Sequence, residues 1–306
     1  MRVVVALGGN ALLRRGEPMT AAVQRTNVRI AALALADLAR DHEIIVAHGN
    51  GPQVGLLALH GAAFDPAMPW PLDVLGAETD GMIGYLIEQE LMNALPDTAH
   101  CATLLSRVEV DPNDPAFSNP GKPIGPIYTA DEAAQVASDH GWSMVREATG
   151  NRRRVVPSPL PLRIIGLDAI KALLAAKHIV ICAGGGGIPV MRNADGDMEG
   201  VEAVIDKDRT SALLATELNA DALLLLTDVE GIYRDFGDED QTLLDTITSA
   251  QIESLELPPG SMGPKASAAA SFITNGGKCA GIGQLTNARA ILDGHAGTRV
   301  CYEKSC

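Results

Sequence analysis

The sequence predicts an α/β fold organised on a mainly parallel sheet. Three observations carry that prediction. Short β-rich runs alternate with helical patterns, glycine-containing turns recur at the ends of those runs, and 46% of the 306 residues are hydrophobic, enough for a sizeable core.

Taken in order, Arg2 to Leu7 is a strand-like apolar run that ends in Gly8-Gly9, and a helical pattern follows over 20–41. The run 44–48 ends in Gly49-Asn50-Gly51, where Pro52 is well placed to open a helix over 53–62. A further helix is expected over 80–95 and a strand over 103–108. A helix over 168–177 leads to the strand 178–183, which ends in four consecutive glycines, Gly184 to Gly187. Asp206, Lys207 and Asp208 open a helix over 208–219, because carboxylates suit a helix N-terminus. The buried run 221–227, the helix 264–275, the strand 278–284, the helix 286–293 and the strand 298–302 complete the alternation.

One stretch breaks it. Residues 111–126, "DPNDPAFSNPGKPIGP", hold five prolines and two glycines, so neither a helix nor a central strand can run through them. An irregular excursion is expected there, then a short helix over 131–139 and a hairpin of 144–147 with 153–156 around Gly150-Asn151. Residues 110–158 therefore read as a lid or small subdomain beside the main sheet.

Composition excludes several function classes. A net charge of −14 lacks the clustered basic face that nucleic acid requires, although backbone N–H groups and a few cations can still hold a small anion. Five cysteines without a C-x-x-C pair fit a reducing, cytoplasmic setting. No run approaches the length of a membrane span.

The glycines share a position. Gly8-Gly9, Gly49 with Gly51, and Gly184 to Gly187 all fall at the carboxyl ends of expected parallel strands, where α/β sheets bind ligands. A Cβ at Gly184 to Gly187 is expected to occupy space needed by substrate or phosphate. Lysines add to this: the chain has seventeen arginines but only seven lysines, and Lys122, Lys207 and Lys265 sit in constrained settings. A compact ammonium suits a point contact with a moving phosphoryl oxygen. Asp208 is expected to hold two lysines in position, and Asp206 to cap its helix. Asp228, in "LLLLTDVEGIY", ends a buried strand where a base pocket could be lined.

Named motifs fail on the letters. Gly277-Lys278 is followed by Cys279, so there is no Walker pattern, and neither the 49–54 nor the 184–189 segment completes G-x-G-x-x-G. "DGDMEGVEAVID" only superficially follows a calcium-loop spacing and reads as a surface hairpin. His48 has no nucleophile in a recognisable motif beside it and reads as structural.

The segments "ALGGNALL", "HGNGPQVGLL", "DPNDPAFSNPGKPIGPIY", "RRVVPSP", "AGGGGIPV", "VIDKDRTSALLA", "LLLLTDVEGIY", "GSMGPK" and the closing "GTRV" together resemble the carbamate kinases of the amino acid kinase superfamily. The resemblance runs in order along nearly the whole chain. It implies a three-layer α/β/α sandwich with a protruding lid subdomain, a homodimer, and reversible phosphoryl transfer between carbamoyl phosphate and ADP with magnesium. It implies that residues 1–205 hold carbamoyl phosphate and 206–306 the nucleotide. It places phosphate contacts at Gly8, Gly9, Asn10, Gly49, Asn50 and Gly51, to which the reading of the glycine run above adds Gly184, Gly185 and Gly186. The lid lysine falls on Lys122, the catalytic lysines on Lys207 and Lys265, and their organising aspartate on Asp208. Thr227, Asp228, Val229, Tyr233, Met262 and Gly263 are expected at the nucleotide, with no metal ligand among the side chains. The resemblance departs locally at "EATGNR", 147–152, which bears on the lid tip. It leaves open which carbamoyl phosphate pathway, arginine metabolism among them, the reaction serves.

In this scheme both attacking oxygens are already anionic, so no strong general base is required. The rival readings are another kinase of the superfamily, a nucleotide-binding regulator without turnover, and a nicotinamide-dependent oxidoreductase. The long proline-rich lysine segment, the lysine set and the failed dinucleotide fingerprint weigh against each in turn.

Overall fold

The computed structural model describes residues 1–14, 16–65, 70–147, 150–238, 240–255, 257 and 262–302, apart from the side chains of Asn10 and Pro126. The chain begins with β1 (Arg2–Leu7), a 3-10 turn at Gly9–Ala11, α1 (Ala21–Ala39), β2 (Glu43–His48), α2 (Gly51–Phe64), α3 (Leu72–Ala94) and β3 (His100–Thr103). Its middle holds β4 (Arg107–Val110), β5 (Lys122–Tyr128), α4 (Ala130–His140), β6 (Met144–Arg146), β7 (Arg152–Val156), β8 (Pro161–Ile165) and α5 (Leu167–Ala175). Then come β9 (His178–Ile181), β10 (Ile188–Arg192), β11 (Met198–Gly200), α6 (Lys207–Glu217) and β12 (Ala222–Thr227). The last part comprises β13 (Tyr233–Arg234), β14 (Thr242–Leu243), β15 (Thr246–Thr248), α7 (Ser249–Glu253), α8 (Met262–Thr274), β16 (Cys279–Gln284), α9 (Ala288–Leu292) and β17 (Thr298–Cys301).

Eight strands form the central sheet in the order β15-β17-β16-β12-β1-β2-β9-β3. Neighbours are parallel except β16 with β17. Strands from before and after residue 206 occupy separate halves of this sheet and meet where β1 pairs with β12. Alternation of side chains feeds two cores. Val4, Ala6, Ile45 and Leu225 face α6 and α8, whereas Val3, Val5, Val46 and Leu224 face α1, α3 and α9. Each fully buried aliphatic side chain contributes about 1.5–3 kcal/mol, which explains how so few aromatics suffice.

Within residues 110–158, expected as a lid or small subdomain, the chain forms a three-stranded sheet in the order β5-β7-β6 with α4 beside it. Thr129 and Glu132 cap the start of α4 reciprocally. Ile124 and Val156 from this sheet pack on Val54 and Ala58 of α2 in a third, smaller core.

Four expectations change. The proline-rich stretch is not wholly irregular, because Lys122–Tyr128 forms β5; it is an edge strand, where prolines are tolerated, and its register shifts between Ile124 and Ile127. The expected strand 103–108 is two strands in different sheets, β3 beside β9 and β4 beside β10. The helix expected from residue 80 begins at Leu72, directly after Pro71. Gly76, Gly81 and Gly84 obscure its pattern, and Gly84 is small because a Cβ there would come within 2.3 Å of Thr103 on β3. The strand β10 was not foreseen, and the calcium-like segment 195–206 is only partly the surface hairpin expected: it supplies the turn and β11, which pairs with β10, while Val201, Ala203, Val204 and Ile205 are buried. The lid tip at 147–152 lies partly outside the described residues.

Candidate active site

β12, β1, β2 and β9 are adjacent, so the turns that follow β1, β2 and β9 line up along one sheet edge. Two of these turns open helical segments whose first N–H groups have no intrahelical acceptor: the 3-10 turn Gly9–Ala11 and α2, which starts at Gly51 with Pro52 in its first turn. A Cβ at Gly9 or Gly51 would meet nothing within 4 Å. The backbones there border open space.

Other members of the predicted set are engaged inside the protein. The Gly8 N–H donates to Leu226 O at 3.0 Å and the Gly49 N–H to Leu7 O at 3.1 Å, which ties both turns to the sheet. Asn10 lies in the 3-10 turn. Asn50 is buried, and its side-chain amide donates to Thr79 Oγ1 at 2.8 Å.

The glycine run after β9 has a different reason from the one expected. A Cβ on Gly184 would lie 2.0 Å from Asp80 Oδ1 and 2.4 Å from His48 Nε2; on Gly185, 2.1 Å from the Asn50 amide; on Gly186, 2.4 Å from Ile205 O. All three glycines are buried, and the protein's own atoms already leave no room for a side chain at any of them. Gly185 and Gly186 also hold φ of 67° and 94°, which L side chains rarely adopt. The Gly186 N–H closes a turn to Ala183 O at 3.1 Å.

The lysines meet at the start of α6. Asp206 caps that helix, accepting from the Asp208 N–H at 3.0 Å and the Arg209 N–H at 3.3 Å, and also accepts from Lys122 Nζ of β5 at 2.8 Å. Asp208 accepts from Lys207 Nζ through one carboxylate oxygen and from Lys265 Nζ, at 3.0 Å, through the other. The Lys207 stem runs past the β2 turn, within 3.5 Å of where a Gly49 Cβ would stand.

Burial works against the charges of Asp206, Lys207 and Asp208. It would raise the Asp208 carboxyl, but Lys207 and Lys265 outweigh it and keep the group below its usual range. Burial likewise opposes Asp206, and Lys122 and Lys207 prevail in holding it low. Burial depresses Lys207, with Asp208 pulling the other way. Removing Asp208 would leave two ammonium groups buried side by side, a loss of about 3–5 kcal/mol.

The expected nucleotide residues lie along β12, the segment after it and the start of α8. Thr227 and Asp228 line a cavity of about 350 Å³ with Ala11, Arg14 and Gln284. Gly263 lines another, of about 590 Å³, with Arg209 and Leu257 along α8. Tyr233 lines neither and bonds Glu230 at 2.7 Å, Val229 is half-buried, and Met262 packs against the core. The loop before α8 lies largely outside the described residues.

Sequence reasoning missed Thr79, Asp80, Ser106 and Gln53, all buried polar residues around the turns. Their only signal was polarity within segments that otherwise read as core. Among the described residues no cluster of His, Cys, Asp or Glu could hold a metal ion, and no helix is long and apolar enough to cross a membrane.

A site that gathers ammonium groups and helix-start amides is suited to moving an anionic group, the work of a phosphotransferase. Comparison narrows the class. The profile described as the amino acid kinase family matches residues 1–282. Carbamate kinase from Haemophilus influenzae is 54% identical, the match covering 98% of this chain and 96% of that one. Carbamate kinase from Rhizobium meliloti is 52% identical, over 97% and 92% of the two chains. The structure of carbamate kinase from Giardia lamblia bound to AMP-PNP superposes with a TM-score of 0.89 at 39% identity, covering 99% of this chain and 98% of that one. The chain belongs to the amino acid kinase family, in its carbamate kinase branch.

Proposed function

We propose that the protein catalyses the carbamate kinase reaction, reversible phosphoryl transfer between carbamoyl phosphate and ADP that yields ATP and carbamate. Full-length similarity to carbamate kinases supports this, and the observation that carries the mechanism is Asp208 holding Lys207 and Lys265 together beside the β2 turn. An ADP β-phosphate oxygen attacks phosphorus, the bond from phosphorus to the carbamate oxygen breaks, and carbamate leaves as an anion that decomposes to ammonia and carbon dioxide. Lys207 and Lys265 neutralise charge on the group in flight, and Asp208 aims them. Helix-start amides at Gly9, Asn10 and Gly51 receive phosphoryl oxygens, with Gly8, Gly49, Asn50 and the Gly184–Gly186 turn holding those amides in place. Lys122 leaves Asp206 to close over the carbamoyl end.

Residues 1–205 serve carbamoyl phosphate and 206–306 the nucleotide. Magnesium enters as part of the nucleotide substrate, neutralising its phosphates, because both carboxylates near the lysines already have ammonium partners. A cytoplasmic homodimer completes the proposal. The test is ATP formation from ADP and magnesium with carbamoyl phosphate, acetyl phosphate or acetylglutamyl phosphate as donor. Carbamoyl phosphate alone should support rapid turnover; preference for another donor would overturn the assignment.

A further inference from the structure

Two consecutive polar residues on α3, Thr79 and Asp80, are fully buried, and a carboxylate is not placed there without a cost. Their contacts run to both inner turns of the site. Thr79 Oγ1 accepts from the Asn50 side-chain amide at 2.8 Å and donates to Leu75 O at 2.9 Å. Asp80 Oδ2 accepts the Ser106 N–H at 3.4 Å, while Ser106 Oγ accepts the Ala183 N–H at 2.9 Å, just before the glycine run. Asp80 Oδ1 faces His48 Nε2 at 3.5 Å with both side chains fully buried, and among the described residues neither atom has a hydrogen-bond partner. This pair lies directly under Gly184, and the Asn50 amide directly under Gly185. The thiol of Cys182, at the end of β9, is also buried beside Asp80, and both burial and that charge push it up.

We propose that Thr79 and Asp80 are positioning residues that clamp the Gly49–Gly51 turn against the Gly184–Gly187 turn, acting through Asn50, His48 and Ser106. The two turns follow neighbouring strands, β2 and β9, but they share no ladder beyond Val46 with Ile181. Past that point the Cys182 N–H still reaches Val46 O at 2.9 Å and His48 and Asn50 pack directly on Gly184 and Gly185; the α3 dipeptide adds hydrogen bonds to Asn50 on one side and to Ser106, which holds Ala183, on the other. The spacing of the two turns sets the aim of the amides at the start of α2, so the clamp governs the carbamoyl phosphate side of the reaction. This rests on the assignment of these turns to carbamoyl phosphate. The nucleotide residues lie across β12 and α8, where neither Thr79 nor Asp80 has a hydrogen-bond partner.

The test measures KM for each substrate, kcat and thermal stability in Asp80→Ala, Asp80→Asn and Thr79→Val. For Asp80→Ala the expected result is a loss of roughly 10- to 100-fold in kcat/KM for carbamoyl phosphate, with KM for ADP within about twofold of wild type. Asp80→Asn keeps an acceptor for Ser106 and offers His48 a donor, so it should restore most of that loss. Should Asp80→Ala not fold, Thr79→Val reads the Asn50 arm alone and should show the same bias toward carbamoyl phosphate. Unchanged constants in a folded variant, or equal losses for both substrates that Asp80→Asn does not restore, would overturn the clamp. A wild-type protein that makes no ATP from carbamoyl phosphate would instead remove the functional assignment on which the clamp rests.

Discussion

Single residues divide the glycines into two kinds with opposite expected phenotypes. Gly185→Ala forces a side chain into a left-handed backbone and against Asn50, so it should lower stability by about 1–3 kcal/mol, read as a drop in Tm. Gly9→Ala meets no neighbouring atom and should melt like wild type while losing turnover with carbamoyl phosphate. Equal melting temperatures for the two variants would contradict the distinction. Sequence placed all these glycines at one edge of the sheet but could not separate them, because Asp80 and Asn50, which fill the space under the run, come from distant segments. Lys207 gives a second test at this scale. Burial holds its pKa below the ordinary lysine value of 10.5, and its charge is present below the shifted pKa and lost above it. The alkaline fall in kcat/KM, which reports the free enzyme, should therefore begin below that value. A profile level through 10.5 would show that Lys207 charge is not required.

At the scale of elements, the β5-β7-β6 sheet is seated on α2 by a backbone contact. A Cβ on Gly55 of α2 would lie 1.8 Å from Gly125 Cα, so helix and edge strand touch main chain to main chain. Gly55→Ala should push β5 off α2 at a cost of about 1–3 kcal/mol, raise KM for carbamoyl phosphate and expose 122–156 to limited proteolysis. A wild-type digestion pattern with unchanged KM would refute this. Prolines made the excursion legible in sequence, yet Lys122–Tyr128 still pairs with β7, because an edge strand needs N–H groups only on its paired side. The break at 104–106 was illegible for the opposite reason. Thr103 and Arg107 bracket a short run without glycine or proline, and only the pairing with β9 and β10 reveals the change of sheet.

For the whole molecule, the strand order explains why one site draws on both ends of the chain. β1 sits against β12 at the middle of the sheet, which brings the first glycine turn beside the strand that ends at Thr227 and sets α6 over their junction. The motifs announced this site because each is a local signal for one strand end or one helix start. The interior supports came from α3, whose polar residues carry no such signal. The central claim is that Lys207 and Lys265 act on one phosphoryl group as a unit held by Asp208. Rates of ATP formation from carbamoyl phosphate and ADP in Lys207→Ala, Lys265→Ala and the double variant test it most directly, since each single variant leaves Asp208 an ammonium partner. Each single substitution should slow turnover roughly 100- to 1000-fold, and the double variant should be little slower than the worse of the two. Near-normal turnover in Lys265→Ala, with Tm unchanged, would contradict the account.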